Sequence, residues 1–297
     1  MIIAYPASQF RNIRVDEFFE DEYKQTSNVF NTILIDQDTF CITKNKELVD
    51  GEIVLYRGWI ITQEQYNFIN YEVQRFGGNL AVSPEEYGFI QFNRDGFGYN
   101  GWTDLLNNFT PKTIRVDYDQ EIDLDYISSQ LTFPLIVKGS SKSVKDDWEN
   151  SMFIKDVDDF WRVIGNYKNH VSKSEDNMIM LREFENFVPD EEYRLWFYQG
   201  ELQRSEIHPL FNGEYNQFMI DKSSDIINTV KSFAVNNNVQ LITVDIVKDM
   251  QDNVRIVECG SGMVSGIRHG FVNYSALKDR TSNINPNPSR KSYLSST

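Results

Sequence analysis

The stretch EYRLWFYQGELQRSEI, residues 192–207, decides the fold class. It reads as two strands joined by a tight turn, with Gly200 in the turn, where glycine adopts the positive φ that short hairpin loops require. Farther along, LITVDIV and VRIVECG flank KDMQDN and form a second pair of the same kind. Hairpins imply an antiparallel sheet. The helical patterns DVDDFWRVIGNY and SSDIINTVKSFAVNN stand in blocks between the strands, so the region is α+β and lacks the regular βαβα alternation of a doubly wound sheet.

Working outward, TIRV, FPLIVKG and MIMLREF add strand signals upstream of this hairpin. The first third is organised differently. NTILID, EIVLYRG and GNLAVS read as strands, and TQEQYNFINYEVQRFGG carries apolar residues at helical spacing and closes on a glycine pair. That is a small α/β layer unit. The run NRDGFGYNGWTDLLNN, rich in Gly, Asn and Asp, marks a loop or boundary. The expected organisation is therefore an α/β domain over residues 1–108, an α+β domain over 109–275, and a polar, Pro-interrupted tail over 276–297.

Composition bounds the function. The chain has 297 residues, enough for two domains, with 14% aromatic and 25% charged residues, a globular balance. Its formal net charge of −15 opposes broad phosphate-backbone binding and an anionic membrane surface, so neither nucleic acid nor membrane is an expected partner. Cys41 and Cys259 form no disulfide or zinc spacing, and His170, His208 and His269 give no ligand pair at helical spacing. The opening MIIAY lacks the pattern of a secretory leader, and no apolar run is long enough to span a bilayer. A cytoplasmic location is expected.

Three constellations carry chemistry. In FPLIVKG the strand face of Ile136 also carries Lys138, which either meets an anion or is solvated at the strand tip. The following GSSKS offers small residues whose backbone N–H groups can approach an anion, and Lys142 with them, without the spacing of a P-loop. Arg182 and Arg194 interrupt apolar strands. Each suits planar recognition of phosphate or carboxylate, or a structural pair with an acid on the adjacent strand. Asp245 and Glu258 interrupt the last two strands, and their hairpin can bring both carboxylates to one site. Hard oxygen donors of this kind suit magnesium held together with substrate phosphates.

Taken in order, LIVKG, SSKS, LREF, VDIV and VECG resemble the ATP-grasp superfamily over roughly residues 112–266. LYRGW with Tyr66 behind it, the series Lys138, Lys142, Ser143 and Trp148, the REF at Arg182, the Arg of EYR at Arg194, and ECGSGMVSG at 258–266 are similar to a clade of small bacterial and phage ATP-grasp proteins. The resemblance implies an ATP-grasp fold of antiparallel sheets with helices, preceded by the smaller α/β domain. It also implies ATP and Mg2+ as ligands, and carboxylate and amine substrates, small molecules or peptides, joined through an acyl phosphate. Lys138, Lys142 and Ser143 would meet the nucleotide phosphates, with Lys112 as a further phosphate lysine. Glu183 and Phe184 would begin the adenine hinge, and Glu191 or Glu192 would take the ribose. Asp245 and Glu258 would hold magnesium, while Arg182 and Arg194 would face phosphate or acceptor carboxylate, together with Ser265. Arg57 would receive a carboxylate on the acceptor side, unless LYRGW is structural. Many family members carry a metal-binding asparagine where this chain has Gly260. A phosphotransferase and a nucleotide-binding module without turnover are the alternatives.

Overall fold

The computed structural model describes residues 1–92, 98, 101–139, 144–173, 177–189, 191–211 and 215–267, with the side chains of Arg11, Asn12 and Lys145 excepted. The expected covering-loop residues Lys142 and Ser143, and the tail from 276 on, lie outside them.

The chain forms two compact units, one comprising Met1–Arg57 and Ile69–Ala81, the other Gly58–Phe68 and Val82–Arg268. This division falls at other positions than the 108/109 boundary read from the sequence.

In the first unit, β1 (Ile2–Ser8), β2 (Arg11–Val15), β3 (Asn31–Ile35), β4 (Ile42–Lys44), β5 (Ile53–Tyr56) and β6 (Asn79–Leu80) form one sheet. Its order is β4-β3-β1-β5-β6, with β2 paired to the end of β1. The pairs β1–β3, β1–β5 and β5–β6 are parallel. Residues Ile2 to Ala7 are buried on both faces, the pattern of a central parallel strand. Helix α1 (Glu20–Thr26) places Glu22 and Thr26 against this strand, where the Tyr5 hydroxyl reaches both. Helix α2 (Gln63–Arg75) enters this unit from Ile69 on.

The second unit holds α3 (Pro84–Gln91), α4 (Trp102–Leu105) and two four-stranded sheets. The first of these contains β7 (Thr113–Asp117), β8 (Leu135–Gly139), β9 (Phe153–Ile154) and β10 (Met178–Glu183) in the order β7-β10-β8-β9, antiparallel throughout. Leu135, Val137, Ile179 and Leu181 face Ile127 of α5 (Leu124–Gln130) and Phe160, Val163, Ile164 and Tyr167 of α7 (Phe160–His170) in one core. Short α6 (Trp148–Ser151) leads into β9. Alternation along the pleat leaves Lys138, Met180 and Arg182 on the opposite face.

The other sheet contains β11 (Tyr193–Tyr198), β12 (Glu201–Ile207), β13 (Leu241–Lys248) and β14 (Val254–Ser261), ordered β12-β11-β13-β14 and again antiparallel. Tyr193, Leu195, Phe197, Ile242, Val244 and Ile246 pack with residues of α8 (Gln217–Lys222) and α9 (Ser224–Asn236). The opening hairpin is as the sequence predicts. Gln199 and Gly200 take φ of 48° and 79°, and a Cβ on Gly200 would lie 2.9 Å from the Lys231 carbonyl oxygen. Among the described residues no helix is long and apolar enough to cross a membrane.

Candidate active site

Two register shifts build the polar face of the second sheet. The β11–β12 pairing slips by one residue between Trp196 and Phe197, which places Arg194 opposite Glu206. The β13–β14 pairing slips between Asp245 and Ile246, which places Glu258, instead of Val257, opposite Asp245. Bulges of this kind re-aim side chains without breaking the ladder. Because Arg194 also pairs with Asp245 across β11 and β13, a single row crosses all four strands as Glu206, Arg194, Asp245 and Glu258. The neighbouring row runs Arg204, Trp196, Thr243 and Gly260.

Contacts within this face are close. Arg194 Nε and Nη2 donate to the two oxygens of Asp245, each at 2.7 Å, and Nη1 donates to the Gly266 carbonyl at 2.9 Å. Asp245 is 2% exposed. Burial pushes its carboxyl above the ordinary value despite the opposing Arg194 guanidinium, and Glu258 and Glu206 push the same way. Glu206 accepts from Trp196 Nε1 and Arg204. Glu258 itself is exposed.

His208 joins this cluster. It follows β12 directly, and its backbone N–H bonds to the Glu192 carbonyl, continuing the hairpin register by one pair. Its Nε2 lies 3.7 Å from both Glu192 Oε1 and Asp245 Oδ2. The three side chains have a spacing that could hold a metal ion. The His208 Nδ1 accepts the Leu210 N–H at 3.3 Å.

Arg182 arrives from the first sheet. Its Nε donates to Thr113 Oγ1 at 3.1 Å, its Nη1 to the carbonyl of Val257, the bulged residue of β14, at 3.0 Å, and its guanidinium lies 5.2 Å over the Trp102 ring. Nη2 is buried without a hydrogen-bond partner among the described residues. Burial lowers the group to about 10, against the pull of Glu258, so it remains cationic at neutral pH. The guanidinium is thus fixed on three sides, and its remaining donor is buried and unsatisfied, a costly arrangement for a cation. Lys138 occupies the same sheet face, opposite Met180 and half-buried.

The other expected residues fall as follows. The Glu183 carboxylate accepts the Thr132 N–H at 2.8 Å, its backbone N–H bonds to Lys112, and the Phe184 N–H bonds to Pro134. The Phe184 ring packs edge-on against Phe153. Lys112 Nζ donates to the Gln130 carbonyl. Glu191 pairs with Lys248 at 3.3 Å. Ser265 Oγ shares a 2.7 Å hydrogen bond with Thr243 and also reaches the Ser261 carbonyl. Gly58 and Tyr66, of the LYRGW segment and the helix behind it, hold the start of that loop: the Gly58 N–H bonds to the Met263 carbonyl, and the Tyr66 hydroxyl contacts Met263 Sδ.

Arg57 requires a correction. It is fully buried in the first unit, and its Nε and Nη2 bind the Glu22 carboxylate at 2.8 and 2.9 Å. The acid it pairs with is internal, and no surface remains for an acceptor carboxylate.

Asp245 and Glu258 could together hold a hard divalent cation. They are opposed hard-oxygen donors, and the exposed Glu258 leaves room for ligands from outside the protein. In this structure both Asp245 oxygens are engaged by Arg194.

Two four-stranded antiparallel sheets, each packed against helices, are thus bridged by the Arg182–Val257 hydrogen bond at the β14 bulge. The chain belongs to an ATP-grasp domain family, family 3 of its clade, whose profile matches residues 127–284, a little over half of the sequence. Among solved structures it is similar to D-alanine–D-alanine ligase from Bacillus anthracis, at 13% identity and a TM-score of 0.51, covering 88% of this chain and 86% of that one. The D-cycloserine synthetase DcsG gives 11% identity and 0.55 over 93% and 94%. The ATP-grasp ligase PsnB, in a complex with minimal precursor, Mg and ADP, gives 9% identity and 0.52 over 90% of each. No curated protein matches the chain.

Proposed function

We propose that this protein is an ATP-dependent carboxylate–amine ligase that forms an amide or peptide bond on a small molecule or peptide. The observation that carries the proposal is the row Arg194, Asp245 and Glu258 on one sheet, with the buried cation Arg182 of the other sheet bonded to the neighbouring Val257 carbonyl. The fold-level likeness to ligases supports it.

The chemistry asks the protein for position and charge neutralisation, with no nucleophilic side chain. An oxygen of the substrate carboxylate attacks the γ-phosphorus of ATP, the bond to the β–γ bridging oxygen breaks, and ADP leaves. The amine nitrogen then attacks the acyl carbon, phosphate departs with the bonding electrons, and the amine loses a proton. Lys138 and Arg182 bring positive charge to the phosphate oxygens, and Trp102 and Thr113 fix the direction of Arg182. The backbone at Glu183 and Phe184 serves the adenine, and Glu192 or Glu191 the ribose. Asp245 and Glu258 would hold Mg2+, which when bound neutralises charge on the phosphates. Arg194 and Ser265 stand on the acceptor side.

The test is ADP and phosphate release from Mg-ATP with a pooled amino-acid and small-peptide mixture, with Glu258→Ala as control. Mixture-dependent ADP that the control lacks supports a ligase. A second reading, a nucleotide-dependent binding module without turnover, draws on Gly260 at the position of the family's asparagine. It requires ATP binding with no ADP from any mixture.

A further inference from the structure

The Arg194–Asp245 pair occupies both oxygens of the acid proposed above as a metal ligand. A divalent cation brought to the same desolvated carboxylate would compete with the guanidinium for its negative charge, and the two cations would repel strongly. The surroundings are rich in acid: Glu206 opposes Arg194 in the sheet, Glu258 opposes Asp245, and Glu192 stands across His208 Nε2. Arg194 is the cation seated at the centre of this acidic row.

From this geometry we infer that Arg194 is the resident counter-ion of Asp245, and that it gives up the carboxylate when a divalent cation binds there, freeing its guanidinium for an anion. The inference rests on the ligase reading and adds an order to it. Divalent cation and anionic acceptor group then bind with positive coupling, because the first releases the receptor of the second, and the coupling is reciprocal. Without metal the acceptor receptor is switched off by an internal acid, which keeps the acceptor side closed until the nucleotide side is loaded. His208 Nε2 lies 3.7 Å from Asp245 Oδ2, beside the acid as it changes partner.

The test uses the native protein labelled with 15N at arginine, with the Arg194 Nε–H signal assigned by its loss in Arg194→Lys. Addition of Mg2+ and ADP is expected to shift that signal and to speed its exchange with water, as the guanidinium loses its buried partner. Spectral changes elsewhere that show Mg-ADP bound, with the Arg194 signal and its exchange unaltered, overturn the inference alone. No change anywhere overturns the ligase reading and the inference with it. In a second arm, Mn2+ affinity is measured by electron paramagnetic resonance with ADP present. Arg194→Gln should bind Mn2+ about tenfold more tightly than the native protein, whereas equal or weaker binding contradicts the exchange. If Arg194→Gln does not fold, the arginine signal of the native protein decides.

Discussion

Replacing Glu86 by glutamine should make the protein more stable at alkaline pH and leave it nearly unchanged at acid pH. Glu86 lies in the first turn of α3, and its Oε1 accepts the backbone N–H groups of Gln240 and Leu241 at 2.6 and 3.3 Å, at the start of the strand that carries Asp245. Burial raises its carboxyl from 4.5 to about 8, and the two amides offset only part of the shift. An acid whose folded value exceeds its unfolded value binds more protons when folded. Stability therefore falls as pH rises between 4.5 and about 8. At about 1.4 kcal/mol per unit the full shift corresponds to at most about 5 kcal/mol. Glu86 as a residue is only half-buried, so water screens part of this and about 2 kcal/mol is the expected loss. Glutamine keeps the accepting oxygen and removes the charge. Urea unfolding followed by tryptophan fluorescence should show Glu86→Gln equal to the native protein at about pH 5 and about 2 kcal/mol more stable at about pH 8.5. A difference independent of pH, or one that favours the native protein as pH rises, would refute the reasoning.

Arg57→Leu leaves the buried Glu22 carboxylate unpaired and should cost about 3–5 kcal/mol; urea unfolding at wild-type denaturant concentrations would show that Arg57 is not structural. Gly200→Ala should cost about 1–3 kcal/mol by the same assay, from positive φ and the close Lys231 carbonyl, and an unchanged midpoint would place the turn elsewhere. Lys138→Ala should weaken ATP binding at least about tenfold in calorimetry, the loss expected for a charge-assisted contact, and unchanged affinity would remove Lys138 from the site. Glu258→Ala should lose turnover while its stability stays within about 0.5 kcal/mol, because Glu258 is exposed.

The sheet topology of the second unit was legible because its hairpins announce themselves. Gln199-Gly200 fixes β11 to β12, and the turn after Lys248 fixes β13 to β14. What pairs with what inside those hairpins was not legible. Counting back from the turn at Lys248 puts Val257 opposite Asp245, and only the bulge brings Glu258 there while turning the Val257 carbonyl to Arg182. The extra residues are Gln203 and Val257, on the part-exposed β12 and β14, and the strands they pair with, β11 and β13, are buried on both faces, so no alternation there marks where the register slips. The slip between Trp196 and Phe197 likewise hides the Glu206–Arg194 pairing. The Arg57–Glu22 pair was out of reach for a different reason: its partners lie 35 residues apart on elements brought together by the first sheet. β1 went unread as the centre of that sheet because an all-apolar run at a chain start has no alternation to identify it. His208 could have been found, since continuing the hairpin by one pair sets it against Glu192.

The central claim is that a carboxylate takes the γ-phosphate of ATP before an amine displaces it. It is tested most directly by supplying the substrate mixture with 18O in its carboxylates and measuring the mass of the phosphate released with ADP. Transfer of one 18O from carboxylate to phosphate is the predicted result. Unlabelled phosphate, or a stable phosphorylated product formed without any amine, would contradict it.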